Sequence, residues 1–160
     1  MRTKNIKKIT LTAVFTALVA VATMVITIPL SSSGGYVNFG DTIIFVAAAL
    51  LGPLGGFVSG AIGSSIADLV FAPKWIPITF IVKGLEGLIC GIIISALKKK
   101  SIKDVISYTI AMISGAIIMV VGYFFGGWLL EGLTAGSFKT GLVVAIYDIP
   151  FNLIQGGVSV

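Results

Sequence analysis

The chain has 160 residues, of which 57% are hydrophobic and only 11% are charged, and its mean hydropathy is +1.12. A soluble domain of this length needs a polar exterior that this composition cannot supply. With no histidine and a single cysteine, Cys90, the chain excludes histidine-assisted catalysis, Cys/His metal clusters and an internal disulfide. We therefore expect an all-α integral membrane protein, one domain over residues 1–160, with no metal and no cofactor.

Apolar runs near the length that spans a bilayer predict six membrane-crossing segments. The first runs from Ile9 to Leu30. The next apolar block, residues 42–71, is too long for one crossing, and Pro53 with the glycines of LGPLGG (51–56) divides it into helices 42–51 and 54–70. The later segments cover residues 77–97, 105–130 and 140–160.

The link GYVNFGD (35–41) stands between the first two segments. Helix 42–51 reaches only about 15 Å, so we expect this link to dip into the protein and complete the crossing. No charged flank follows the sixth segment, and we expect the natural chain to continue by a few residues beyond Val160.

The basic residues predict the orientation, because cytoplasmic loops carry an excess of lysine and arginine. With a cytoplasmic N-terminus, only Lys74 and Lys139 face outward and Lys83 lies within a segment. The cytoplasmic side holds Arg2, Lys4, Lys7, Lys8, Lys98, Lys99, Lys100 and Lys103. This asymmetry explains the net charge of +5 without nucleic-acid binding.

Two predicted segments carry polar residues that are costly in lipid. Thr79, Lys83 and Glu86 share one face of the fourth segment, with Lys83 about 9 Å and Glu86 about 14 Å from its outer end. Lys83 and Glu86 have two open interpretations: they neutralise one another or bridge to a neighbouring helix, or they form part of a polar ligand pocket.

Asp148, Asn152 and Gln155 share one face of the sixth segment, with Asp148 about 12 Å deep. The two polar faces therefore lie at matching depth, which favours a shared cavity that opens outward. For Asn152 and Gln155 the alternative is hydrogen bonding between helices.

Several motifs in this order resemble the S components, the substrate-binding membrane subunits of energy-coupling factor (ECF) vitamin transporters. They are AVFTA after a basic N-terminus, GYVNFGD, LLGPLGGFVSGAIGSSIADL, KGLEGLICG and PFNLIQG. The branch they most resemble is the riboflavin type, which also includes proteins assigned to hydroxymethylpyrimidine and pyridoxine.

The resemblance implies a multi-pass protein of the bacterial plasma membrane that binds one vitamin near the outer surface, with loops one and three as a lid. It implies no ATP hydrolysis by this chain. The expected partners are a transmembrane T component and two cytoplasmic ATPases. The AxxxA motif, here Ala13 and Ala17, is the expected docking surface for the T component.

For the ligand we expect a compact heteroaromatic vitamin such as hydroxymethylpyrimidine or a pyridoxine-like ring, with riboflavin as the alternative. Donors and acceptors would meet its substituents, and aromatic rings would stack on it. The expected binding residues are Tyr36, Asn38, Asp41, Trp75, Thr79, Lys83, Glu86, Tyr123, Tyr147, Asp148, Asn152 and Gln155.

Other classes of function stay open from the residues alone. One is a stand-alone secondary transporter with Glu86 or Asp148 as its proton site. Another is an intramembrane hydrolase with Lys83 as base and Ser59, Ser64 or Ser65 as nucleophile. A purely structural membrane subunit would bind no small molecule.

Overall fold

A computed structural model of the protein describes residues 2–160, with side chains from residue 6 onward. Over this range the chain forms six α-helices, and five of them are long and apolar enough to cross a membrane. The second helix is shorter, as expected. The helices are α1 Arg2–Val25, α2 Gly40–Leu51, α3 Pro53–Phe71, α4 Ile76–Lys99, α5 Asp104–Thr134 and α6 Phe138–Ser159. The six-helix prediction is confirmed.

The first loop contains a β-hairpin that the sequence did not predict. Helix α1 ends at Val25 rather than at Leu30, and strand β1 (Thr27–Pro29) then pairs antiparallel with β2 (Tyr36–Asn38). Gly34 closes the connection with a φ of 64°, a left-handed conformation that glycine adopts without steric cost. This hairpin occupies the GYVNFGD segment and leads directly into α2.

The break between α2 and α3 lies where LGPLGG predicted it. Gly52 has a φ of 80°, and Pro53 occupies the first position of α3, where its missing N–H leaves no hydrogen bond unmade. The short, alanine-rich α2 packs against α1, α3 and α4. Its first turn carries Asp41, which is fully buried.

Glycines bring α3 and α4 into close contact, because a residue without a side chain lets two helix backbones approach each other. A Cβ atom added to Gly56 would lie 2.6 Å from the carbonyl oxygen of Gly87, and Gly60 faces the backbone of Lys83 in the same way. Larger residues there would push the two helices apart. The close contact fixes the position of Lys83 relative to α3.

The apolar core lies between α2, α4 and α5, towards the lysine-rich end of α4. It includes Phe45, Ala48, Cys90, Ile94 and Ala111. The buried charged residues lie towards the other end of the bundle, and most of them are in or next to the cavity beneath the hairpin. The same helices therefore form an apolar core in the inner half of the bundle and hold the buried charged residues in the outer half.

A small polar cavity beneath the hairpin

A small cavity lies where the hairpin meets the outer ends of the helices. Its volume is about 40 Å³. The short 3₁₀ turn Pro73–Trp75, which joins α3 to α4, forms part of its wall. The lining residues are Thr23, Leu30, Ser33, Gly35, Tyr36, Asn38, Ser64, Asp68, Ala72, Trp75, Thr79, Lys83, Tyr123, Asp148, Asn152 and Gln155.

Nine of the expected binding residues line this cavity, so the structure brings the polar faces of α4 and α6 together. They are Tyr36, Asn38, Trp75, Thr79, Lys83, Tyr123, Asp148, Asn152 and Gln155. Asp41 and Glu86 do not line it but lie against Lys83. Tyr147 was expected to bind the ligand, but it does not line the cavity and is 66% exposed. It precedes Asp148 in α6, so its side chain points about 100° away from that of Asp148 around the helix axis.

Lys83 is held by two carboxylates beneath the cavity. Its ammonium contacts Asp41 Oδ1 and lies 3.0 Å from Glu86 Oε2, and all three side chains are at most 1% exposed. The Lys83–Glu86 pair expected from the sequence is present, and Asp41 of α2 adds a second partner. Because Lys83 also lines the cavity, charge neutralisation and pocket lining are not alternatives here.

Gln155 connects this ion network to the hairpin. Its Nε2 donates to Asp41 Oδ2 at 2.8 Å, and its Oε1 accepts from the backbone N–H of Asn38 at 3.0 Å. Asn38 Oδ1 in turn accepts from the N–H of Gly40. One amide side chain thus ties α6 to both the end of β2 and the start of α2.

Three hydrogen bonds attach the hairpin and its turn to the rim of the cavity. The Tyr36 hydroxyl donates to Asp68 Oδ1 at 2.6 Å, and the Ser32 hydroxyl donates to Asp148 Oδ1. Trp75 Nε1 donates to the carbonyl oxygen of Ser33 at 3.2 Å. The first loop is therefore bonded to α3, α6 and the 3₁₀ turn, as a lid would be.

The Tyr36 phenol stays a hydrogen-bond donor over the whole working pH range. Burial raises its pKa above the ordinary range, and the neighbouring Asp68 carboxylate raises the pKa further. The Tyr36–Asp68 bond is therefore insensitive to deprotonation of the phenol.

Aromatic rings form one side of the cavity. Trp75 and Tyr123 meet edge to face with their ring centroids 6.0 Å apart. The Tyr123 hydroxyl donates to Thr79 Oγ1 at 3.1 Å, and the Lys83 ammonium lies 5.5 Å from the Tyr123 ring centroid. The wall combines flat apolar surface with polar groups at its edge, which suits a heteroaromatic ring.

Four polar lining residues were not among the expected binding residues: Thr23, Ser33, Ser64 and Asp68. Asp68 lies within the predicted helix 54–70, and α3 (Pro53–Phe71) carries it on the same face as Ser64, but it was not named among the expected binding residues. The i, i+4 spacing of Ser64 and Asp68 was the available signal. The position of Ser33 depends on the hairpin, and no local pattern marks it.

A second concave surface lies between α1 and α3. It is an open groove of about 690 Å³ and is largely apolar, with Lys8 the charged residue on its wall. Ala13 lines the groove; Ala17 is exposed one turn further along α1 but is not part of the lining. The lining residues are Lys8, Ile9, Thr12, Ala13, Thr16, Leu54, Gly55, Val58 and Ile62.

The helix arrangement is that of a known class of membrane protein. The chain matches the crystal structure of the S component for biotin from an ECF-type ABC transporter with a TM-score of 0.65. The match covers 99% of this chain and 89% of that one at 18% sequence identity. The fold is therefore that of an S component.

The sequence model of one family, described as the ECF-type riboflavin transporter S component, matches residues 3–160. The chain belongs to this family. It is a multi-pass membrane protein and a transport subunit rather than an enzyme, which removes the hydrolase alternative. The family implies a vitamin ligand and, in general terms, T-component and ATPase partners.

Two other proteins have sequences similar to that of this chain. An uncharacterized protein in gap 3'region from Pyrococcus woesei is 35% identical over 143 residues, which cover 88% of this chain and 91% of that protein. The thiamine precursor transporter HmpT of Lactococcus lactis subsp. cremoris (strain MG1363) is 30% identical over 151 residues, covering 93% of this chain and 82% of that protein.

Proposed function

We propose that this chain captures a compact heteroaromatic vitamin, hydroxymethylpyrimidine or a pyridoxine-like ring, in the cavity beneath the hairpin. The observation that carries the proposal is a small cavity with an aromatic wall and polar groups from five helices and the hairpin. A relative described as a thiamine precursor transporter, at 30% identity, supports a small ring over a large one.

The size of the cavity also favours a compact ligand. Pockets for drug-sized ligands span roughly 300–1,000 Å³, whereas this cavity is about 40 Å³. Binding therefore requires the hairpin to move outward, and the displacement grows with the size of the ring. The three rim bonds of Tyr36, Ser32 and Trp75 are the contacts that such a movement would break and remake.

Riboflavin is the second candidate, because the matching family is described by that vitamin. A flavin has a three-ring system and a polyol chain, so it would need a much larger opening of the hairpin. The affinities of the purified protein for a compact vitamin and for riboflavin decide between the two candidates.

Delivery of the vitamin to the inside would use ATP hydrolysed by partner ATPases. The groove between α1 and α3 supports docking of the T component, because it is open, apolar and lined by Ala13. Its position on the lipid-facing side of the bundle leaves it accessible to another membrane helix. Small residues there allow close helix approach.

The test is to purify the protein from cells grown in rich medium and identify any bound vitamin by mass spectrometry. The purified protein is then titrated with hydroxymethylpyrimidine, pyridoxine and riboflavin. We expect tight binding of one compact ring and weaker binding of riboflavin. Tight binding of riboflavin alone would select the second candidate, and no binding of any of them would contradict vitamin capture.

A liposome experiment separates the ECF mechanism from a stand-alone transporter. The chain reconstituted alone should bind vitamin but should not accumulate it, with or without a proton gradient. Accumulation driven by a proton gradient in the absence of partners would instead support the secondary-transporter alternative.

A further inference from the structure

We propose that Asp68 is the residue that selects the ligand, and that it selects for an amino-substituted heteroaromatic ring. This inference rests on the proposed function and narrows it: within the compact vitamins, it favours an aminopyrimidine over a ring that carries only hydroxyl groups. The evidence is the balance of donors and acceptors around the cavity.

Asp68 has an acceptor that the protein leaves unused. Its side chain is 3% exposed and lines the cavity, and its Oδ1 already accepts from the Tyr36 hydroxyl. Its Oδ2 is buried and has no hydrogen-bond partner among the described residues. No hydrogen bond between Asp68 and the Thr79 hydroxyl meets normal geometry among the described residues, and Thr79 Oγ1 accepts from Tyr123 at 3.1 Å.

A buried carboxylate oxygen without a partner is costly, because it has lost its water without a replacement. Such a group in a native structure needs an explanation. Its place on the cavity wall supplies one: a donor on the ligand completes its hydrogen bonding.

The strongest donor near the cavity is already occupied. Lys83 is held by Asp41 and Glu86, so it has little capacity left to neutralise another anion. The charged groups in and beneath the cavity are four carboxylates, counting Asp68 and Asp148, against one ammonium. This balance favours a ligand that brings hydrogen-bond donors or positive charge.

An amino group on a basic heteroaromatic ring has that chemistry. The amino group donates, and the adjacent ring nitrogen, when protonated, adds a second donor and a positive charge. Both can face one carboxylate, and charge-assisted hydrogen bonds of this kind are stronger than neutral ones. A ring whose edge is made of carbonyl oxygens would instead place acceptors against Asp68.

The test compares two probes that differ in one group: 4-amino-5-hydroxymethyl-2-methylpyrimidine and the same compound with hydrogen in place of the amino group. Pyridoxine and riboflavin are titrated in parallel. For the unchanged protein we expect the amino compound to bind roughly tenfold to a hundredfold more tightly than the deamino compound.

The Asp68→Asn variant should lose most of this preference, because the amide offers a neutral acceptor in place of the carboxylate. Asp104→Asn, which changes an exposed aspartate at the opposite end of the bundle, is the matched control and should keep the preference. Tyr36→Phe removes the partner of Oδ1 but keeps the carboxylate, so it should also keep the preference even if affinity falls.

Equal weakening of both probes by Asp68→Asn would mean that Asp68 is structural, and the inference would fail. Tight binding of pyridoxine or riboflavin, with no preference for the amino compound, would also overturn it while leaving vitamin capture intact. Binding of none of the four compounds would overturn the proposed function itself. If Asp68→Asn does not fold, Asp68→Ser takes its place, and a preference for the amino compound retained in that variant would overturn the inference.

Discussion

The cavity beneath the hairpin and the groove between α1 and α3 differ in size, openness and polarity, although they belong to the same helix bundle. The cavity is small, partly enclosed and lined by many polar residues, whereas the groove is more open and largely apolar. Polar groups are costly within a membrane, so the chain places them where other polar groups or a ligand can satisfy them. Close contact between helices in lipid depends on shape and small side chains instead. The comparison predicts that removing a charged side chain impairs the cavity, whereas introducing a large side chain impairs the groove.

The largest effect should follow the removal of the Lys83 ammonium. Lys83→Ala leaves Asp41 and Glu86 buried side by side without a counter-ion, and breaking a buried ion pair in this way costs about 3–5 kcal/mol. We expect a fall of that size in the free energy of unfolding, measured by denaturant titration in mixed micelles.

Glu86→Gln is the matched control for Lys83. It keeps the shape of the side chain and leaves Lys83 paired one to one with Asp41, so we expect a cost below about 2 kcal/mol. An equal loss in both variants would mean that packing, rather than charge balance, dominates this network.

A large side chain in the groove should impair docking of the T component. Ala13→Trp places a large ring on the groove wall without touching the cavity, so vitamin uptake in cells that contain the whole transporter should fall roughly tenfold or more. The affinity of the purified subunit should stay unchanged. Ala17→Trp, one turn along the exposed face of α1, tests whether the docking surface extends beyond the groove.

Loss of vitamin binding in Ala13→Trp would show that bulk in the groove reaches the cavity. The two regions would then not be independent, and the contrast between them would fail. Unchanged uptake with unchanged binding would remove the groove as a docking surface.

The sequence predicted the parts of this comparison that depend on local spacing. Pro53 and its glycines marked the α2–α3 break, and the i, i+3 spacing of Lys83 and Glu86 marked their contact. Asp41 was expected near the ligand, but its pairing with Lys83 joins residues far apart in the chain, which no periodicity reveals. The β-hairpin was missed because strands of three residues are too short to show an alternating pattern.

A smaller effect is expected for Asn152, whose half-buried amide lines the cavity. Asn152→Ala removes one polar group without leaving a buried charge unpaired. If the amide bonds to the ligand, affinity should fall by about 0.5–1.5 kcal/mol, which isothermal titration can resolve, and thermal stability should stay the same. A fall in stability with unchanged affinity would instead assign Asn152 to contacts between helices.

The smallest effect should come from the rim, where Lys74 lies 2.8 Å from Glu131 and joins the 3₁₀ turn to the end of α5. The Lys74 side chain is 42% exposed, so water screens this pair, and such pairs contribute about 0.2–1 kcal/mol. Lys74→Ala should therefore weaken vitamin binding by less than about fivefold, and the difference should shrink at high salt. Glu131→Gln removes the other partner and should give the same small effect. A tenfold or larger loss for Lys74→Ala alone would mean that Lys74 contacts the ligand directly, and the charge that selects the ligand would then extend from the buried cavity to its exposed rim.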